Sequence, residues 1–168
     1  DASSPLRQQN PLGKIPVLLA EDDTPYFDSR VILEYLDERA GGGKIVPSAP
    51  AQRLAALRLQ ALCDGAIDAS ILEVYEGRWR SADKHEPKWL EHQAGKVARA
   101  LAFLEAAPPP VASPGELPHV GQIALACALG YRDLRFAGTW RKGHPRLVGW
   151  LEEFAARVPA FAATAVKI

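Results

Sequence analysis

Residues 13–37, GKIPVLLAEDDTPYFDSRVILEYLD, hold the reading that decides the fold. Val17-Leu18-Leu19 is a short apolar strand entered through Pro16; AEDDT turns the chain, and Pro25-Tyr26-Phe27 returns it as a second strand. A helix then opens on Asp28-Ser29, with Ser29 able to cap it. Val31, Ile32, Tyr35 and Leu36 recur at helical spacing as its buried stripe. Gly41-Gly42-Gly43 stops that helix, because glycine accepts the left-handed conformation found past helix ends. Upstream, residues 1–10 are polar, run into Asn10-Pro11, and read as loop or one irregular turn.

Beyond GGGKIVPSAP the composition changes, and everything that follows is helical. One long helix is expected from Ala51 to about Arg80, and a second starts at Pro87, a favourable first-turn residue. The second carries Trp89, Leu90, Val97, Leu101 and Leu104, and cannot pass Pro108-Pro109-Pro110. Shorter helices are expected at about residues 120–134 and 146–156. The chain therefore divides into residues 1–46, a small α/β piece, and residues 47–168, an all-helical domain.

The totals exclude several classes. With 168 residues, 48% apolar and 24% charged, the chain has the balance of a globular protein able to bury a core. Its formal net charge of zero gives no electrostatic support to nucleic-acid or membrane-surface binding. The longest apolar runs are too short to span a bilayer, and a secretory signal is not expected in the opening residues. Cys63 and Cys127 lie in helical patterns without a CxxC partner, which favours buried free thiols in a reducing cytoplasm. The four histidines form no ligand spacing, so no metal site is expected. No methionine occurs, so the sequence is expected to be less than the whole translated product.

Ile15-Pro16 and Asp28-Ser29 carry the binding chemistry. Proline cannot donate to a strand ladder, so Pro16 belongs at a strand start or edge. With a cis Ile15-Pro16 bond, the neighbouring main-chain groups would turn outward and could pair with an extended peptide. The helix start at Ser29 offers free N–H groups and partial positive charge to a carboxylate, while Asp28 suits an ammonium. A carboxylate and an ammonium on one carbon, attached to a peptide, describe the γ-glutamyl end of glutathione. The plainer alternative is a helix cap beside a loop that enters a strand.

Taken in order, NPLGKIPVL, FDSRVILEYLDE and GGGKIVP followed by a helical remainder resemble the cytosolic glutathione S-transferases, nearest the bacterial type. HVGQIALACALGYRDLRF and WRKGHPRLVGWLEEFAARVPAF extend the resemblance over nearly the whole chain. It implies a thioredoxin-like N-terminal domain, partial here, joined to an all-α C-terminal domain. It also implies a cytoplasmic homodimer that conjugates glutathione to a small electrophile. Pro16 stands at the family's cis-proline, and Ile15 at the residue whose main chain pairs with the cysteinyl part. Asp28 and Ser29 match the acidic-serine pair that holds the γ-glutamyl group. An ammonium at Lys14 would suit the glycyl carboxylate, against the simpler reading of a solvated lysine. CDGAID places Asp64 where some classes have an aspartate reaching the glutathione of the neighbouring subunit. From the residues alone, Asp64 and Asp68 share a largely apolar helix face, and a helix-cap bond, a dimer salt bridge and the ligand all remain open for Asp64.

The resemblance also shows a gap. Family members begin with a strand-helix-strand unit that carries the serine, cysteine or tyrosine acting on the glutathione sulfur, and no residue here matches that role. About 30 further residues upstream are therefore expected. The rival reading is a noncatalytic binding or protein-interaction module on the same fold. Tyr75, Arg78 and Trp79, with Trp140 and Arg141, could line a second-substrate cleft or simply pack. His119 with Gln122 forms an unusual capping box, with histidine a weak cap.

Overall fold

The computed structural model describes residues 4–166, and the chain divides into two compact units, one ending at Pro50 and the other beginning at Ala51. The change of unit falls four residues later than the composition boundary after residue 46, at the first turn of a long helix.

The first unit opens with a short helix, α1 (Pro5–Gln9), where the sequence suggested loop or an irregular turn. Pro5 sits at its first position, where a fixed φ helps and a missing N–H costs nothing. Strands β1 (Leu18–Leu19) and β2 (Pro25–Tyr26) pair antiparallel, Leu18 with Tyr26 and Leu19 with Pro25. Helix α2 (Ser29–Arg39) follows. Tyr26 stacks on Tyr35 with ring centroids 4.3 Å apart, which ties the hairpin to the helix. Of the expected apolar stripe only Ile32 is buried. Tyr35 is half-buried, and Val31 and Leu36 stay exposed because two two-residue strands cover only part of the helix.

The end of α2 is held by a residue that helical periodicity does not single out. Asp37 is 4% exposed, and its Oδ1 accepts from the N–H groups of Lys44 at 2.8 Å and Ile45 at 2.6 Å. Its Oδ2 accepts from Gly43 N–H at 2.8 Å, and Val46 N–H approaches Oδ1 at 3.4 Å. Burial alone would raise this carboxyl. The main-chain donors outweigh that and hold it below its ordinary value. The chain doubles back to Asp37 through Gly41, Gly42 and Gly43, at φ of 96°, 72° and 70°, a region open to glycine at little steric cost.

The second unit is a helical bundle: α3 (Pro50–Trp79), α4 (Pro87–Ala106), α5 (Val120–Phe136), α6 (Pro145–Arg157) and α7 (Pro159–Ala163). Its core joins Cys63 and Ala69 of α3, Val97, Leu101 and Leu104 of α4, Leu125 and Leu129 of α5, and Leu147, Trp150, Leu151 and Phe154 of α6. Burying each large side chain contributes about 1.5–3 kcal/mol. Gly121, in the first turn of α5, lets that helix approach α3 closely. A Cβ there would lie 2.6 Å from the Ala56 carbonyl oxygen and 2.8 Å from Leu59 Cβ.

Polar side chains fix the helix ends. Glu76, 7% exposed, accepts from Glu86 N–H at 3.1 Å and from Arg80 at 3.0 Å, bridging α3 to the start of α4. Glu105, near the end of α4, accepts the N–H groups of Arg146 and Leu147 in the first turn of α6, both at 2.9 Å. In return Arg146 Nη1 donates to the carbonyls of Glu105 at 3.1 Å and Ala106 at 2.6 Å. Each helix end thus satisfies the orphan groups of the other. The capping box at α5 forms as expected: His119 Nδ1 accepts from Gln122 N–H at 3.3 Å, and Gln122 Oε1 accepts from His119 N–H at 2.9 Å.

Candidate functional site

Antiparallel pairing places two sequence-distant segments at the same end of the hairpin. Residues 15–16 precede β1 and residues 28–29 follow β2, so both lie just past the Leu18–Tyr26 pair. The Ile15–Pro16 peptide is cis, as is Phe27–Asp28. Ile15 is 80% exposed, and its main-chain N–H and C=O have no acceptor or donor among the described residues.

The helix cap is Asp28, one residue before the position expected. Asp28 has extended backbone angles and Ser29 is already the first helical residue, so the Asp28 carboxylate takes the capping role assigned to Ser29. Asp28 Oδ1 accepts from Arg30 N–H at 3.0 Å, and the Asp28 carbonyl accepts from Ile32 N–H at 3.0 Å. The Ser29 and Val31 N–H groups have no acceptor among the described residues, and both residues are exposed. This leaves free donors, the positive end of an eleven-residue helix, and a second carboxylate oxygen on Asp28 beside them. Such a corner can receive a carboxylate on the N–H groups and an ammonium on Asp28. Lys14 is exposed and precedes it directly, adding a mobile positive charge.

Asp64 belongs to the second unit, half-buried on α3, and Asp68 one turn on is exposed. Asp64 adjoins Cys63, whose thiol is pushed up to about 12 by burial first and by the Asp64 charge second. Such a thiol is inert at neutral pH. The helical pattern around Cys127 predicts burial for that thiol as well. It is exposed, because α5 turns its buried face through Leu125, Ala126, Ala128 and Leu129 and leaves Cys127 on the open strip.

The remaining candidates separate cleanly. Trp140 is buried, its indole N–H donates to Asp133 Oδ1 at 2.8 Å, and Arg141 grips the same carboxylate through Nε at 2.9 Å and Nη2 at 2.6 Å. These two residues pack and pair. Tyr75 and Trp79 are exposed near the end of α3, with the Arg78 guanidinium 5.5 Å from the Tyr75 ring centroid. Among the described residues, no group of three or more His, Cys, Asp or Glu side chains could hold a metal ion, and no helix is long and apolar enough to cross a membrane.

The hairpin, the helix-end corner and the helical bundle that follows define a recognisable class, and the chain belongs to the glutathione S-transferase family. Its residues 1–39 match the family model for the glutathione S-transferase N-terminal domain, and residues 87–153 the model for the C-terminal domain. It is 33% identical over 158 residues to the uncharacterized GST-like protein YibF of Escherichia coli strain K12, covering 94% of this chain and 78% of that protein. A glutathione transferase family member from Pseudomonas fluorescens Pf-5, crystallised with bound glutathione, is 42% identical with a TM-score of 0.88, covering 100% of this chain and 80% of that one. A glutathione S-transferase from Methylobacillus flagellatus KT with GSH bound is 34% identical, also with a TM-score of 0.88, over 99% of this chain and 83% of that one.

Proposed function

We propose that this chain binds glutathione at the open end of its hairpin and serves a transferase that conjugates the tripeptide to a small electrophile. The single observation that carries this reading is the pairing of free α2 N–H groups with an adjacent carboxylate, at the hairpin end where the Ile15 main chain is unpaired. The γ-glutamyl carboxylate would sit on the Ser29 and Val31 N–H groups and its ammonium on Asp28. The cysteinyl main chain would pair with Ile15 beside Pro16, and the glycyl carboxylate would lie toward Lys14. Support also comes from relatives of 42% and 34% identity that hold glutathione.

Conjugation requires the thiolate, because the thiol is a weak nucleophile at neutral pH. We assign sulfur activation to no residue of this chain. The glutathione-binding part would be residues 1–46 and the helical part residues 47–168. The working form would be a cytoplasmic homodimer in which Asp64 reaches the glutathione amine of the neighbouring subunit.

The test is retention of this chain on immobilised glutathione, with elution by the free tripeptide. Asp28→Ala removes both the cap and the ammonium partner and should abolish retention. Retention that survives the substitution, with α2 still folded, refutes the clamp.

A further inference from the structure

Asn10 is a polar residue that is 3% exposed, and it makes four hydrogen bonds, one back to α1 and three within the loop that follows. Its N–H donates to the Leu6 carbonyl at 2.8 Å, and its own carbonyl accepts from Gly13 N–H at 2.8 Å. Its side-chain Oδ1 accepts from Leu12 N–H at 3.0 Å, and its Nδ2 donates to the Lys14 carbonyl at 2.8 Å. An amide buried without partners is strongly unfavourable, so this side chain is matched to the loop it organises.

The last of these bonds fixes a peptide plane. The Lys14–Ile15 peptide is trans, since the cis bonds of the chain are Ile15–Pro16 and Phe27–Asp28. In a trans peptide the C=O and the N–H point in opposite directions. Asn10 draws the Lys14 carbonyl inward, so the Ile15 N–H must face the other way, toward the exposed side where it has no acceptor among the described residues. We propose that Asn10 is the positioning residue that aims the Ile15 N–H at the main chain of bound glutathione. This rests on the function proposed above and adds a residue that touches no ligand to the binding apparatus.

Asn10→Asp separates positioning from simple packing. Aspartate keeps an oxygen for Leu12 N–H but sets a second one against the Lys14 carbonyl, which repels it and frees the peptide plane to rotate. The experiment follows 15N–1H amide signals of the whole chain during titration with glutathione. In the unsubstituted protein, Ile15, Ser29 and Arg30 signals should shift together and saturate. In Asn10→Asp, the affinity should fall by about tenfold, the worth of one well-aimed hydrogen bond. The ligand-induced shift at Ile15 should vanish, while Ser29 and Arg30 still reach their full shifts at saturation. Equal affinity with an unchanged Ile15 shift overturns the proposal. So does an Ile15 signal in the unsubstituted protein that ignores glutathione while Ser29 responds, a result that needs no variant and no assumption about its folding. If neither Ile15 nor Ser29 responds in the unsubstituted protein, the glutathione reading itself falls and takes this proposal with it.

Discussion

Replacing Asp37 by alanine removes one side chain and strands the N–H groups of Gly43, Lys44 and Ile45, each bonded to it at 2.6–2.8 Å. Hydrogen bonds to a charged acceptor contribute about 1.5–3 kcal/mol each, but their losses do not add in full. Gly43 and Lys44 are exposed, so water can take over two of the donors, whereas Ile45 is half-buried and Val46 buried. The expected net cost is about 2–4 kcal/mol, concentrated in the segment that folds back onto α2. Native-state hydrogen exchange reads this directly: the Ile45 and Val46 amides should exchange roughly 30-fold to several-hundred-fold faster. Asp37→Asn should fall between, since it keeps Oδ1 for Lys44 and Ile45 but points an NH2 at Gly43. Because the folded Asp37 carboxyl lies below its ordinary value of 3.8, its contribution is complete above that pH. The contribution is lost as pH falls through the folded value, and Asp37→Ala should abolish this acid dependence at Ile45. Exchange at Ile45 and Val46 within threefold of the parent would refute the claim that Asp37 holds the segment.

Two further outcomes concern α5. Gly121→Ala should lower stability by about 1–3 kcal/mol, seen as a drop of about 2–12 °C in thermal midpoint, because the added methyl meets the Ala56 carbonyl oxygen at 2.6 Å. The His119 cap works through an unprotonated Nδ1, and burial holds that imidazole below its ordinary value of 6.5. Its contribution is therefore complete above about pH 6.5 and lost as pH falls through the folded value. His119→Asn, a stronger cap, should raise the thermal midpoint and flatten its dependence below about pH 6.5.

Periodicity along one element was enough to read the hairpin, the two long helices and the break at the prolines. Pro87, the glycine triplet and the change of composition past residue 46 are local signals that survive in the folded chain. What escaped reading depends on partners that no helical or strand period pairs, whether a few residues on or many. Asp37 looks like one more acid in the string Leu36-Asp37-Glu38-Arg39, and its role appears only when three glycines turn the following segment back onto it. Asn10 passes for an ordinary residue before proline until its amide is seen on the Lys14 carbonyl. Glu105 and Arg146 stand 41 residues apart, beyond the reach of any helical pattern. At the candidate site the residue types were legible because charge and helix polarity are local properties. The exchange of cap between Ser29 and Asp28 was not, because one residue of backbone conformation decides it.

The mutual grip of Glu105 and Arg146 has a consequence for residues 107–119. Since α4 and α6 are fastened to each other directly, the proline-rich connection beyond α4 is relieved of much of the task of keeping that pair in register. Lineages could lengthen, shorten or recompose its exposed stretch at 113–117 without loosening the α4–α6 junction, so drift should gather there first.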